Sequence, residues 1–138
     1  MRLGSNGVRI PLVMCPFFMP SARVEPDEWI HAPRLTLIDE YRGTCHVAEP
    51  FEPEASAQRD VCNCGYASGR CDRFPSGSPD AVRFSVIAED GPALRIVYVF
   101  ETDHLPSRHA VAEPEVAIDD EVLNGQIRAF AESYRLRR

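Results

Sequence analysis

Nine of the twelve prolines and all five cysteines of this 138-residue chain fall before residue 80, and no other feature limits its possible folds as strongly. Proline removes a backbone donor and fixes φ, so it is excluded from helix interiors and from central strands. Between residues 14 and 80, Pro16, Pro20, Pro26, Pro33, Gly43, Pro50, Pro53, Gly65, Gly69, Pro75, Gly77 and Pro79 interrupt every run. The region reads as loops around short elements. Its best helical piece runs from Pro53 to about Cys62, with proline in the first turn, Glu52 and Glu54 near the positive end and Gly65 closing it. A further helical turn is expected from Pro26 to Ile30. So long an irregular stretch inside a compact domain argues for a fastener other than a hydrophobic core. The cysteines are the candidate fastener.

The second half is conventional. Residues 82–88 and 94–101 flank Glu89-Asp90-Gly91-Pro92 and alternate, with Val82, Phe84 and Val86 on one face, matched by Leu94, Ile96, Tyr98 and Phe100. That pattern predicts a β-hairpin. Val97, Val99 and Ile87 lie on the opposite face, which makes the second strand central in a sheet of more than two strands. Val8 to Val13 and Leu35 to Ile38 are the candidates for extra strands. After Asp119, Asp120 and Glu121, the residues Leu123, Ile127, Phe130 and Tyr134 recur at helical spacing, and arginines close the segment. Gly125 is costly in such a helix unless the helix comes close to the sheet there. The expected fold is therefore α+β: a small antiparallel sheet around the hairpin 82–101, packed by a C-terminal helix over 119–137. A loop-rich, cysteine-containing N-terminal half completes it. One domain over 1–138 is expected. It divides into a flexible extension 1–13, for which Met14 is a candidate native start, a metal-fastened region 14–80, and the hairpin and helix of 81–138.

Charge removes one class of partner. Both halves carry a net charge of -3, from 9 acidic and 6 basic residues in 1–69 and from 12 and 9 in 70–138. No basic stripe marks a nucleic-acid face, and the arginines near the C-terminus suit the negative end of a helix. All fifteen basic residues are arginine, which by itself points to no activity. The apolar run Ile10 to Met19 is too short to span a bilayer and holds two prolines, and Pro20-Ser21-Ala22-Arg23 makes a poor signal-cleavage site. A cytoplasmic protein with no membrane or nucleic-acid partner is the expectation. A redox or protein partner fits the cysteines, and the oligomeric state is left open.

Cys62, Cys64 and Cys71 lie within ten residues, with Gly65 and Gly69 allowing the backbone between them to turn back. Cys15, before Pro16, and Cys45, after Gly43, could complete a four-thiolate site from two further loops. Zinc usually announces itself by paired ligands two to four residues apart. Here 29 residues separate Cys15 from Cys45, 16 separate Cys45 from Cys62, and 8 separate Cys62 from Cys71. Single cysteines on separate loops suit a 4Fe-4S cluster better, with Phe17, Phe18, Tyr66 and Phe74 available to exclude water. An odd cysteine count without a convincing secretion signal argues against disulfides. The plain alternative is that the cysteines are small apolar core residues.

The strings CPFFMP, WIHAPRL, CNCGYASGRCDRFP, DAVRFSV and ETDHLPSRH resemble those of a family of small bacterial proteins, several from acidobacteria, that have no assigned activity. The resemblance spans roughly residues 14–110 and, more weakly, the final helix. It implies recurring cysteines at Cys15, Cys45, Cys62 and Cys71, with Cys64 as a spare thiol. The stretch between His109 and Asp119 is shorter than the family's, which puts any site that uses it in doubt.

The histidines supply the enzyme alternative. His104 and His109, following the hairpin, could serve a thiolate at Cys64 or Cys71, with Asp103 or Glu101 orienting the base. His46 could replace a cysteine as ligand, and His31 is expected to cap the packed Trp29. No phosphate loop, dinucleotide fingerprint, serine elbow or HExxH motif occurs, so no catalytic residue is assigned. The resulting expectation is a 4Fe-4S protein ligated by Cys15, Cys45, Cys62 and Cys71, serving electron transfer, redox sensing or structural fastening. Zinc in an interaction module and a Cys-His thiol enzyme are the alternatives.

Overall fold

A computed structural model describes residues 12–25, 40–63 and 71–137. The expected helical turn at Pro26–Ile30, the candidate strand at Leu35–Ile38, Trp29 with His31, Cys64 and Tyr66 lie outside the described residues. In chain order the elements are β1 (Leu12–Met14), β2 (Phe18–Arg23), β3 (Tyr41–Cys45), α1 (Ala55–Ala57), β4 (Ala81–Asp90), β5 (Ala93–Thr102), β6 (Leu105–Ala112) and α2 (Glu121–Arg137). The last turn of α1 widens into a π turn over Gln58–Cys62.

The fold is α+β. One antiparallel sheet has the order β1-β4-β5-β6 and a second pairs β2 with β3. The expected hairpin is β4–β5, turning at Gly91-Pro92, and β5 is central as its two-sided apolar pattern requires. A bulge between Val86 and Ala88 breaks the alternation and leaves Ile87, expected on the covered opposite face, 52% exposed. Strand β1 takes in Leu12 and Val13, the last two residues of the segment read as an extension, and pairs Leu12 with Phe84.

Strand β6 falls where the sequence predicts a loop. Its turn is only Asp103-His104, at φ 54° and 65°, the left-handed conformation required at both positions of a tight hairpin turn. Pro106, Ser107, Arg108 and His109 give an exposed edge strand little apolar alternation to recognise.

Helix α2 starts as expected, with the Asp120 side chain accepting the Leu123 N–H at 3.0 Å. Leu123, Ile127 and Phe130 are buried, and Phe130 stacks on Phe84 of β4 with ring centroids 5.7 Å apart. The helix also lies against β2. A Cβ on Gly125 would stand 3.0 Å from Met19 Cγ, so close approach does explain the glycine, although the partner is the small sheet. Met14, Phe18 and Tyr41 are among the most completely buried large side chains. The core is thus shared between the halves of the chain and is not confined to the region after residue 80.

Candidate metal centre

Each described cysteine is carried by a tight local structure, and these structures touch one another. Cys15 opens a turn closed by the Phe18 N–H donating to its carbonyl at 3.1 Å, with Pro16 at the second position, where its fixed φ suits a turn. Cys45 ends β3, where its Cα partner is Phe18, and it exchanges backbone hydrogen bonds with Phe51 at 2.8 and 3.2 Å. Cys62 ends the π turn, and its carbonyl accepts the Cys15 N–H at 3.0 Å. Cys71 opens a further turn, with the Phe74 N–H donating to its carbonyl at 3.2 Å.

Aromatic contacts close the ring. Phe74 meets Phe17 edge to face at 5.6 Å between centroids, joining the Cys71 turn to the Cys15 turn. Arg73 lies 4.3 Å over the Phe51 ring, joining it to the Cys45 bridge. The Phe17 carbonyl accepts the His46 N–H at 2.8 Å. Phe18 is buried in the core, and Phe17 and Phe74 are partly buried against it.

Three buried amide side chains hold these loops, and the sequence reading assigned them no role. Gln126 of α2 donates to the carbonyls of Cys15, at 2.9 Å, and Phe18, at 2.7 Å, clamping both ends of the first turn. Gln58 accepts the Gly43 N–H at 3.0 Å and donates to the Pro53 carbonyl at 2.6 Å. Asn63 accepts the Tyr41 N–H at 2.9 Å and donates to the carbonyls of Tyr41 and Gln58, both at 2.8 Å. Irregular backbone can be buried only when its polar groups are paired, and these amides do the pairing that sheets and helices do elsewhere. A Cβ on Gly43 would overlap the Met19 carbonyl, so glycine is needed where β3 crosses the bulge of β2. The one available signal was three amides in otherwise apolar or loop surroundings, and amides are ordinarily read as surface residues.

All four described cysteines are free thiols. Cys15 and Cys45 are buried, and Cys62 and Cys71 are half-buried. Burial pushes the Cys62 thiol up to about 12, and neighbouring Cys15, Cys45 and Cys71 add to the rise. Cys15 is likewise pushed up to about 12, first by burial and then by Cys45 and Cys71, against the lowering hydrogen bonds of the Phe17 and Phe18 backbone. The cause is the same in both cases: low-dielectric surroundings penalise a thiolate, and adjacent thiolates penalise a second one. Among the described residues, no group of three or more His, Cys, Asp or Glu side chains is already gathered as a metal site. The thiols are therefore electrostatic neighbours that do not stand at ligand spacing.

The histidines lie elsewhere. His46 contacts Thr44 Oγ1 through Nε2 at 2.9 Å, and strand alternation puts Thr44 and His46 on the face opposite Cys45. His104 sits in the β5–β6 turn, and His109 pairs with Val99 on the edge strand. Both are exposed, and neither contributes to the shifts of Cys15 or Cys62. No helix of the described residues is long and apolar enough to cross a membrane. Comparison with family models, curated proteins and solved structures returned no match.

Proposed function

We propose that the protein is a four-cysteine metal protein in which Cys15, Cys45, Cys62 and Cys71 hold a 4Fe-4S cluster, serving electron transfer, redox sensing or structural fastening. The observation that carries this reading is the set of contacts joining the four cysteine-bearing turns: Phe18 to Cys45, Phe51 to Arg73 and Phe74 to Phe17 close a ring through the Cys15, Cys45 and Cys71 turns, and the Cys15–Cys62 backbone bond attaches the fourth. A donor set of four thiols suits soft metal centres, both iron–sulfur and zinc. Ligation requires thiolates, and the raised pKa values mean that the metal's own charge has to drive deprotonation.

Each residue has a distinct part. Cys15 and Cys45 would supply the buried ligands, and Cys62 and Cys71 the ligands nearer solvent. Phe17 and Phe74 exclude water from one side. Gln126 and Asn63 fix the backbones that present Cys15 and Cys62, the outer-shell support that orients ligands in metal sites. A cluster, when bound, supplies one-electron chemistry at a potential set by burial and by hydrogen bonds to sulfur.

Anaerobic purification followed by iron, acid-labile sulfide and zinc analysis tests the reading. The expected result is a brown protein with about four iron and four sulfide per chain. Any of Cys15→Ser, Cys45→Ser, Cys62→Ser or Cys71→Ser should lower the yield of cluster, whereas Cys64→Ser should retain it. A colourless protein holding one zinc rejects the cluster in favour of zinc, and a metal-free protein after anaerobic reconstitution rejects both.

A further inference from the structure

We propose that Cys15 and Cys62 form a reversible disulfide in the metal-free protein, because the Cys15 N–H donates to the Cys62 carbonyl at 3.0 Å and holds the two backbones side by side. The regulatory meaning of this pair rests on the four-cysteine reading, since the disulfide withdraws two of the four ligands. The disulfide itself needs only the two thiols.

Antiparallel residues that exchange two backbone bonds stand about 5.5 Å apart at Cα, and the single Cys15–Cys62 bond brings these two backbones to a comparable range, near the window of roughly 4.4–6.8 Å that a disulfide requires. Both backbones are held from outside the pair. Gln126 fixes the Cys15 carbonyl from α2, and Asn63, next to Cys62, is fixed to Tyr41 and Gln58. The pair is therefore presented without a search through loop conformations. Cys45 and Cys71 are differently engaged, with their backbones bonded to Phe51 and Phe74.

Exposure assigns the order of events. Cys62 is half-buried, so a small oxidant reaches it, and Cys15, 7% exposed, is shielded. With a low-molecular-weight disulfide as oxidant, the small fraction of Cys62 present as thiolate, which burial keeps low, attacks one sulfur, forming a mixed disulfide and releasing one small thiol, so this step is slow at neutral pH and speeds up as pH rises. Cys15 then loses its proton and attacks Cys62 Sγ, forming the Cys15–Cys62 bond and releasing the second small thiol. Two protein thiols are oxidised and one small disulfide is reduced to two thiols. Excess small thiol reverses both steps and restores the ligands.

The test uses full-length, metal-free protein equilibrated with mixtures of oxidised and reduced glutathione, then acid-quenched, alkylated and digested with trypsin. A Cys64→Ser chain removes the second thiol from the peptide that carries Cys62. The expected product joins the peptide of residues 10–23 to that of 60–70, and the unsubstituted chain should show the same two peptides joined. Oxidised protein should take up less than a tenth of the zinc or iron taken up by the reduced protein, and reduction should restore uptake. A dominant link from 60–70 to 71–73 or to 43–59, or glutathione left on Cys62 as the main product, overturns the inference. The peptide map decides the disulfide alone: if the mapped pair is correct but reduced protein binds no metal, the four-cysteine reading fails and the disulfide stands.

Discussion

Replacing Gln126 by leucine tests whether the cysteine-bearing turn is held by polar clamping. Gln126 is 1% exposed and donates two hydrogen bonds, to Cys15 O at 2.9 Å and to Phe18 O at 2.7 Å. Leucine keeps most of the volume and removes both donors. Each lost bond costs about 1 kcal/mol net, and a carbonyl left unpaired in the interior costs about 1–3 kcal/mol more. The Cys15 carbonyl keeps the Phe18 N–H at 3.1 Å, so the full penalty falls mainly on Phe18. The sum is roughly 3–5 kcal/mol, a fall in melting temperature on the order of 10–20 °C for a domain of this size. Urea unfolding at pH 7 of reduced, metal-free protein gives the stability change. Amide exchange should show the Phe18 N–H opening more than the Leu94 and Ile96 strand amides. A variant within about 0.5 kcal/mol of wild type, with unchanged exchange at Phe18, would refute the clamp.

Other substitutions probe separate links. Asn63→Leu removes three buried hydrogen bonds and should cost roughly 3–5 kcal/mol, with Tyr41 amide exchange rising in proportion. Gly125→Ala should be nearly neutral, because about 1 kcal/mol of helix propensity is offset by the 3.0 Å approach to Met19 Cγ. In a Met19→Ala background the same change should yield the full gain, so a double-mutant cycle without coupling contradicts the close approach. His104→Gly should stabilise by about 0.5–1 kcal/mol, since it relieves a left-handed φ of 65°. It should leave metal content and thiol reactivity unchanged, and a loss of thiol reactivity would revive the Cys-His reading. Cys15 and Cys62 titrate near 12 in the fold but near 8.5 when unfolded, so the folded state favours the neutral thiol. Their contribution is complete below about pH 8.5 and is lost as pH rises toward 12. Metal-free stability should fall by roughly 1–3 kcal/mol per pH unit above pH 9, less the screening at half-buried Cys62, as urea midpoints from pH 7 to 10.5 would show.

How much was legible in the sequence depended on which interaction specified each part. Val82, Phe84, Leu94 and Ile96 alternate, and Leu123, Ile127 and Phe130 recur at helical spacing, so the hairpin and α2 could be read from periodicity alone. Strand β6 was missed because an edge strand is held by main-chain pairing to β5, which leaves no apolar alternation in Pro106-Ser107-Arg108-His109. The pairing of β2 with β3 was equally hidden, since it brings residues 18–23 against 41–45 across a long connection. The cysteines could be recognised by residue type and turn context. Their mutual arrangement could not, because it depends on Gln58, Asn63 and Gln126, which reach backbone atoms of Gly43, Tyr41, Cys15 and Phe18, 15 to 111 residues away.

Those amides change the role a metal would have here. A loop-rich half fastened by its ligands alone should unfold on metal removal, as small zinc domains do. In this chain Phe18 and Tyr41 are already buried against α2, and the Tyr41 hydroxyl bonds Ala129 O and Glu132 Oε1, both at 2.9 Å, and Ser133 Oγ at 3.1 Å. Burying two such aromatic side chains contributes roughly 3–6 kcal/mol, comparable to a substantial part of a domain's net stability. The Cys15 turn is thus tied to the C-terminal helix by apolar burial and the Gln126 clamp, and Gln58 and Asn63 tie the Cys62 segment to β3, none of which needs a metal. Metal-free protein should therefore keep near-native circular dichroism and cooperative unfolding, and metal should raise its stability without creating its fold. If chelation instead abolishes protection of the Tyr41 and Phe18 amides, ligation is what brings the two halves together, and the polar clamps are its consequence.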